Sequence, residues 1–144
     1  MSTPTPDESV ANQTRRQFVA GAVALGAASS VAAASKSTGV AGYPLVHHVF
    51  FWLKNPGSKD DLAKLLAGLK TLSGIETVKA IHIGVPASTE KRDVVDNSFA
   101  VSEILCFENV EGQNAYQVHP IHKAFVEKCS ALWEKHIVYD AISV

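Results

Sequence analysis

From Leu45 to Lys54 the chain reads Leu-Val-His-His-Val-Phe-Phe-Trp-Leu-Lys, aromatic and β-branched almost throughout, and this predicts a strand. A period of two puts His47, Val49, Phe51 and Leu53 on one face and His48, Phe50 and Trp52 on the other. Both faces are largely apolar, so both are expected to be covered. Asn55-Pro56-Gly57 predicts a turn. Ser58 can cap a helix whose first turn carries Asp60 and Asp61, the sign that the helix dipole favours there. Leu62, Leu65, Leu66, Leu69 and Leu72 keep helical spacing and define one buried stripe, with Gly74 as the stop. Thr77 to Ile83 predicts a second strand. Ser98 to Phe107 predicts a third, with Phe99, Val101, Glu103, Leu105 and Phe107 on one face. Between them Val85 to Asn97 is polar, holds Pro86 and the charge cluster Glu90 to Asp93, and predicts a long loop of the kind that often forms a lid or binding segment. A helical stretch starts at Asn109 and is interrupted by Pro120. Ile137 to Val144 predicts the last strand.

The order β-α-β-β-α-β is that of a ferredoxin-like α+β fold, a four-stranded antiparallel sheet with two helices on one face. The other face would stay bare, with Phe50 and Trp52 from the first strand and Ile104 and Cys106 from the third. An apolar patch of that kind on a small domain needs a partner. A homodimer joined sheet to sheet is the economical expectation.

The first residues follow a different pattern. A polar start leads into Thr14-Arg15-Arg16-Gln17-Phe18-Val19, then an Ala/Gly-rich apolar run, then Ala32-Ala33-Ala34 before Ser35. Charge, apolar run and small residues in that order predict an export signal, and the arginine pair resembles the twin-arginine type. The run is weakly hydrophobic for a membrane span. The expected organisation is a signal peptide over 1–34, a linker over 35–44 and one domain over 45–144. The mature protein would be periplasmic or extracytoplasmic, without a stable membrane anchor after cleavage. It would fold before it crosses.

The formal net charge is −1, and the basic residues form no stripe, so no nucleic-acid partner is expected. Cys106 and Cys129 have no zinc spacing; a disulfide is open to them, and buried free thiols are the simpler expectation.

Candidate chemistry concentrates in Tyr116-Gln117-Val118-His119-Pro120-Ile121-His122. Pro120 removes a backbone donor and clashes with the carbonyl of Tyr116, so the helix should break and restart with Pro120 in its first turn. His119 would sit at the new cap and is, with His47, a candidate ligand-binding residue. His122, Phe125, Val126, Cys129 and Trp133 fall at i, i+3, i+4, i+7 and i+11, one inward stripe headed by His122. The kink would aim Tyr116 and His122 at one cavity. There His122 can act as general base and Tyr116 can donate to a carbonyl or enolate oxygen. Phe51, Leu105, Phe125 and Trp133 would supply apolar walls for a small hydrophobic or aromatic ligand. Glu103 faces the helices, and a buried carboxylate must be paired or protonated. His47 and His136 are its candidate partners. A purely structural Tyr/His pair at a helix break is the plain alternative. No cofactor and no metal site are called for; His47, Glu103 and His122 as metal ligands form a minor alternative.

With these elements in place, the domain resembles the stress-responsive A/B barrel domain family of dimeric α+β barrels. The resemblance rests on the opening strand His47 to Lys54, on Tyr116 to Phe125 as a Tyr-x-x-His-Pro-x-His-x-x-Phe signature, on Trp133, and on the closing Val138-Tyr139-Asp140. It implies a homodimer and a pocket between sheet and helices. Some plant relatives are polyketide cyclases, whose pocket tyrosine, pocket base and opening-strand histidine match Tyr116, His122 and His47; a second, mid-strand histidine falls on Val101 here. The resemblance leaves open cyclase-, isomerase- or lyase-like chemistry, a non-catalytic binding protein, and a haem-binding barrel as a minor case.

Overall fold

The computed structural model describes residues 40–144. The expected signal peptide and the first half of the linker lie outside the described residues. Strand β1, Leu45–Leu53, alternates buried and half-buried along its whole length, as a strand covered on one face and partly on the other must. It sits inside the sheet, between β3 (Val101–Phe107) and β4 (Trp133–Ile142), while β2 (Ala80–Gly84) takes the outer edge of β3. The order β2-β3-β1-β4 is antiparallel throughout. This is the ferredoxin-like α+β arrangement.

Helix α1, Lys59–Lys70, begins where Ser58 Oγ accepts the Asp61 N–H at 3.1 Å. It runs into a 3₁₀ turn at Thr71–Gly74, and Leu65, Leu69 and Leu72 are fully buried beneath it. Gly68 is where this helix meets the second helical layer: a Cβ there would stand 2.5 Å from Cys129 Sγ. That layer is two helices, α2 (Val110–Val118) and α3 (Pro120–Cys129), the second helical segment broken at Pro120 as expected. Asn109 caps α2 through its Oδ1, which accepts the Gly112 N–H at 2.8 Å.

Three boundaries differ from the sequence expectation. Trp133 is not on the helix that carries His122: α3 stops at Cys129, a turn follows at Ser130–Leu132, and Trp133 is extended and opens β4 opposite Leu53. Helical spacing from His122 to Trp133 is coincidental. A run of ladder bonds to β1 outweighs one more helical turn for a Trp-Glu-Lys-His-Ile-Val-Tyr segment with several β-formers. Strand β2 starts at Ala80 rather than Thr77, because the chain is still turning there, with the Val78 N–H bonded to the Ile75 carbonyl at 3.0 Å. Strand β3 starts at Val101 rather than Ser98.

Between sheet and helices, Leu45, Val49, Leu53, Val101, Leu105 and Phe107 meet Leu65, Leu69, Leu72, Ile75 and Phe125 in one core. The two cysteines are free and lie on opposite sides of the sheet. Cys129 is under Gly68, whereas Cys106 faces the helix-free side and is covered there beside Val40 and Ala41. Among the described residues no helix is long and apolar enough to cross a membrane.

Candidate functional site

The break between α2 and α3 is built from His119 and Pro120. His119 is extended (φ −64°, ψ 139°), and its Nδ1 accepts the Ile121 N–H at 3.1 Å, so it is the cap of α3. Its Nε2 lies 3.5 Å from Glu76. Pro120 stands in the first turn, where its missing N–H costs nothing. The change of direction brings Tyr116, at the end of α2, against His122, in the first turns of α3, with ring centroids 4.4 Å apart. From the sheet, His47 meets Tyr116 edge-on at 5.6 Å.

These three rings line a cavity of about 170 Å³ between the sheet and the second helical layer. Val49, Phe51 and Glu103 line it from the inner strands, Gln117, Phe125 and Val126 from the helices, and Trp133, His136 and Val138 from β4. Its aromatic wall is continuous: Phe51, Phe125 and Trp133 lie within 6.5 Å of one another, and His136 stacks on Phe51.

Hydrogen bonds fix the protons of two histidines. The His122 Nδ1–H donates to the Gln117 carbonyl at 3.1 Å, a group that can only accept, so the neutral ring carries its lone pair on Nε2. Burial holds the His122 pKa below its ordinary value, with a smaller contribution from nearby His47; the Gln117 bond opposes this. The ring is therefore neutral at physiological pH. His47, only 4% exposed, donates through Nδ1 to Asp140 Oδ1 at 2.6 Å. Tyr116 is buried, and burial, reinforced by the charges of Glu103 and Asp140, raises its pKa, so the phenol keeps its proton. Glu103 is 1% exposed, and burial pushes its carboxyl up to about 8.

Of the residues singled out in the sequence, His47, Phe51, Glu103, Tyr116, His122, Phe125 and Trp133 all line this cavity. Leu105 and His119 do not. Leu105 points to the same side of the sheet but is sealed into the core, and the His119 ring is used up by the cap and Glu76. The His47–Glu103 and His136–Glu103 pairings are not formed, since His47 has taken Asp140. Among the described residues no three His, Cys, Asp or Glu side chains are grouped to hold a metal. Asp140 is the functional group that sequence reasoning passed over. It lies between Val138 and Ile142 on the inward period of the last strand, opposite His47 in the register.

The long loop joining β2 to β3 does not cover this cavity. Its end, Asp96 to Phe99, packs on the helix-free face instead, where it joins Phe50, Trp52, Lys135, Ile137 and Tyr139 around a groove of about 310 Å³. There the Trp52 Nε1–H donates to Ser98 Oγ at 3.0 Å, and Lys135 Nζ lies 4.4 Å over the Trp52 ring.

Comparison with known proteins bears on the family and the fold. The profile of the "Stress responsive A/B Barrel Domain" family matches residues 45–143. A stress-response A/B barrel domain-containing protein of Arabidopsis thaliana is 32% identical over 78 residues, which span 54% of this chain and 68% of that protein. The fold is similar to that of a hydroxynitrile lyase from Passiflora edulis (TM-score 0.60, 20% identity, 71% of this chain and 94% of that one). It is also similar to a dimeric ferredoxin-like protein of unknown function from Thermobifida fusca (TM-score 0.56, 16% identity, 68% of this chain and 89% of that one).

Proposed function

The chain belongs to the stress-responsive A/B barrel domain family, and on that footing we propose that it is an exported, homodimeric protein whose cavity binds a small hydrophobic or aromatic molecule and acts on it by His/Tyr acid–base chemistry. The observation that carries this reading is the convergence of Tyr116, His122 and His47 on one aromatic-walled cavity. His122 Nε2 is the base, because the Gln117 carbonyl occupies the other nitrogen and burial keeps the ring neutral. Tyr116 is the donor, because its phenol stays protonated. His47, held by Asp140, meets Tyr116 edge-on in the same cavity and offers its Nε2 as an acceptor for a ligand hydroxyl. Such a set suits removal of a proton next to, or from an oxygen that becomes, a carbonyl. The lyase among the similar folds is consistent with that class of reaction.

The homodimer forms through the helix-free face, where half-buried Phe50 and Phe99 and exposed Tyr139 make an aromatic cluster that no helix covers among the described residues. Export rests on the order of Arg15-Arg16, apolar run and Ala32-Ala33-Ala34.

A second reading, a binder without turnover, is favoured by Val101, a fully buried aliphatic residue where the cyclase relatives carry a histidine. Mass spectrometry of small molecules that co-purify with the protein from its native host separates the readings. A bound compound that wild type converts and that His122→Ala binds but leaves unconverted supports the enzyme. A compound handled identically by both supports the binder. Absence of any bound compound, together with no binding of single-ring aromatics, refutes both.

A further inference from the structure

One group in the cavity has no role in the chemistry above. Glu103 sits in the middle of β3 with aliphatic neighbours on either side in the sheet, Val49 of β1 and Ile83 of β2. Its side chain lines the cavity, is almost wholly buried, and has one oxygen, Oε1, with no hydrogen-bond partner at all. A buried polar atom left unpaired destabilises the fold, and a carboxyl placed there without a counter-charge does so more strongly. Among the described residues no Lys or Arg lines the cavity to offset it. The titratable groups around the cavity are His47 from β1, Tyr116 from α2, His122 from α3, and His136 and Asp140 from β4. Nδ1 of His47 is committed to Asp140 and Nδ1 of His122 to Gln117, while α1 and β2 present only apolar residues toward the core.

Resting on the reading of the cavity as a small-molecule site, we propose that Glu103 is its ligand-selecting group, a carboxylic acid that hydrogen-bonds the uncharged hydroxyl or carbonyl oxygen of a ligand the size of one aromatic ring. Size follows from the cavity volume of about 170 Å³; an apolar cavity of about 150 Å³ accommodates benzene. The charge preference follows from burial. A carboxyl whose pKa is pushed up to about 8 is protonated at neutral pH, so it offers an O–H donor and a carbonyl acceptor. A ligand hydroxyl or carbonyl completes that pair. A ligand carboxylate would have to leave water for a pocket walled by Val49, Phe51 and Phe125, beside the Glu103 carboxyl, and gain no cation among the described residues. A ligand ammonium would require Glu103 to ionise away from water, with no further donors to stabilise the anion.

The test is an isosteric series titrated into the full chain at pH 7: toluene, benzyl alcohol, benzylamine and benzoate. Wild type should prefer benzyl alcohol to toluene by about tenfold, the worth of one buried hydrogen bond, and bind the two charged probes more weakly than either. Glu103→Leu should erase the preference for benzyl alcohol while keeping toluene affinity, and should raise the melting temperature, because an orphaned carboxyl has gone. Glu103→Gln, which keeps a donor and an acceptor, should retain most of the preference. A wild type that prefers benzylamine or benzoate overturns the proposal. So does a Glu103→Leu variant that keeps the benzyl alcohol preference, or that melts lower with unchanged selectivity. Equal binding of toluene and benzyl alcohol by wild type removes the role of Glu103 and leaves the cavity as a binding site. Binding of none of the four removes both.

Discussion

A few side chains decide the character of the cavity, and Glu103 gives the sharpest prediction among them. Its ordinary value is 4.5 and burial raises it to about 8, so the native state holds a proton that the unfolded chain gives up. Its contribution is therefore fully present below pH 4.5 and is lost as pH rises toward 8. Wild type should lose roughly 2–4 kcal/mol relative to Glu103→Gln across that window, read from denaturant midpoints at each pH. His122 acts with the opposite sign: its lowered pKa makes stability fall as pH drops below 6.5, in wild type and Glu103→Gln alike. A Glu103→Gln variant that tracks wild type at every pH would mean that the carboxyl is solvated. Glu103 was legible in the sequence as an inward carboxyl. Its pairing was not, because register alone decides that His47 meets Asp140 rather than Glu103.

At the scale of elements, the α2–α3 break is what turns Tyr116 toward His122. His119→Ala removes the cap acceptor for the Ile121 N–H and should cost about 1 kcal/mol, typical of a lost N-cap, while His119→Asn should recover most of it. The effect on the cavity should be larger than on stability. If His119→Ala leaves ligand binding and stability unchanged, the cap does not set the angle. The break was legible because proline acts locally, through its missing N–H and its ring. The end of α3 was not. Helical spacing fits Phe125 to Trp133, and only the pairing of β4 with β1, formed across 80 or more residues of chain, places Trp133 in the strand. The late start of β2 has a local cause instead, the turn closed by the Val78 N–H on the Ile75 carbonyl. The loop after β2 was recognisable as long and polar, but its destination on the helix-free face depends on Trp52 and Phe50 waiting there.

For the molecule as a whole, the two faces of one sheet divide the work. Helices and cavity take one side, and the aromatic cluster of Phe50, Phe99 and Tyr139 takes the other. Light scattering of the wild-type chain at micromolar concentration should give a dimer, and Phe50→Glu should give a folded monomer. A wild-type monomer would contradict a sheet-to-sheet dimer through half-buried Phe50 and Phe99 and exposed Tyr139. The central claim, that small molecules enter on the helix side, is tested most directly by nuclear magnetic resonance, because the two tryptophans report on opposite faces. Trp133 lines the cavity and Trp52 the groove on the bare face. On titration with benzyl alcohol, the Trp133 indole and the His122 ring should shift in a saturable way while Trp52 stays still. Saturable shifts at Trp52, with Trp133 and His122 unmoved, would contradict the account.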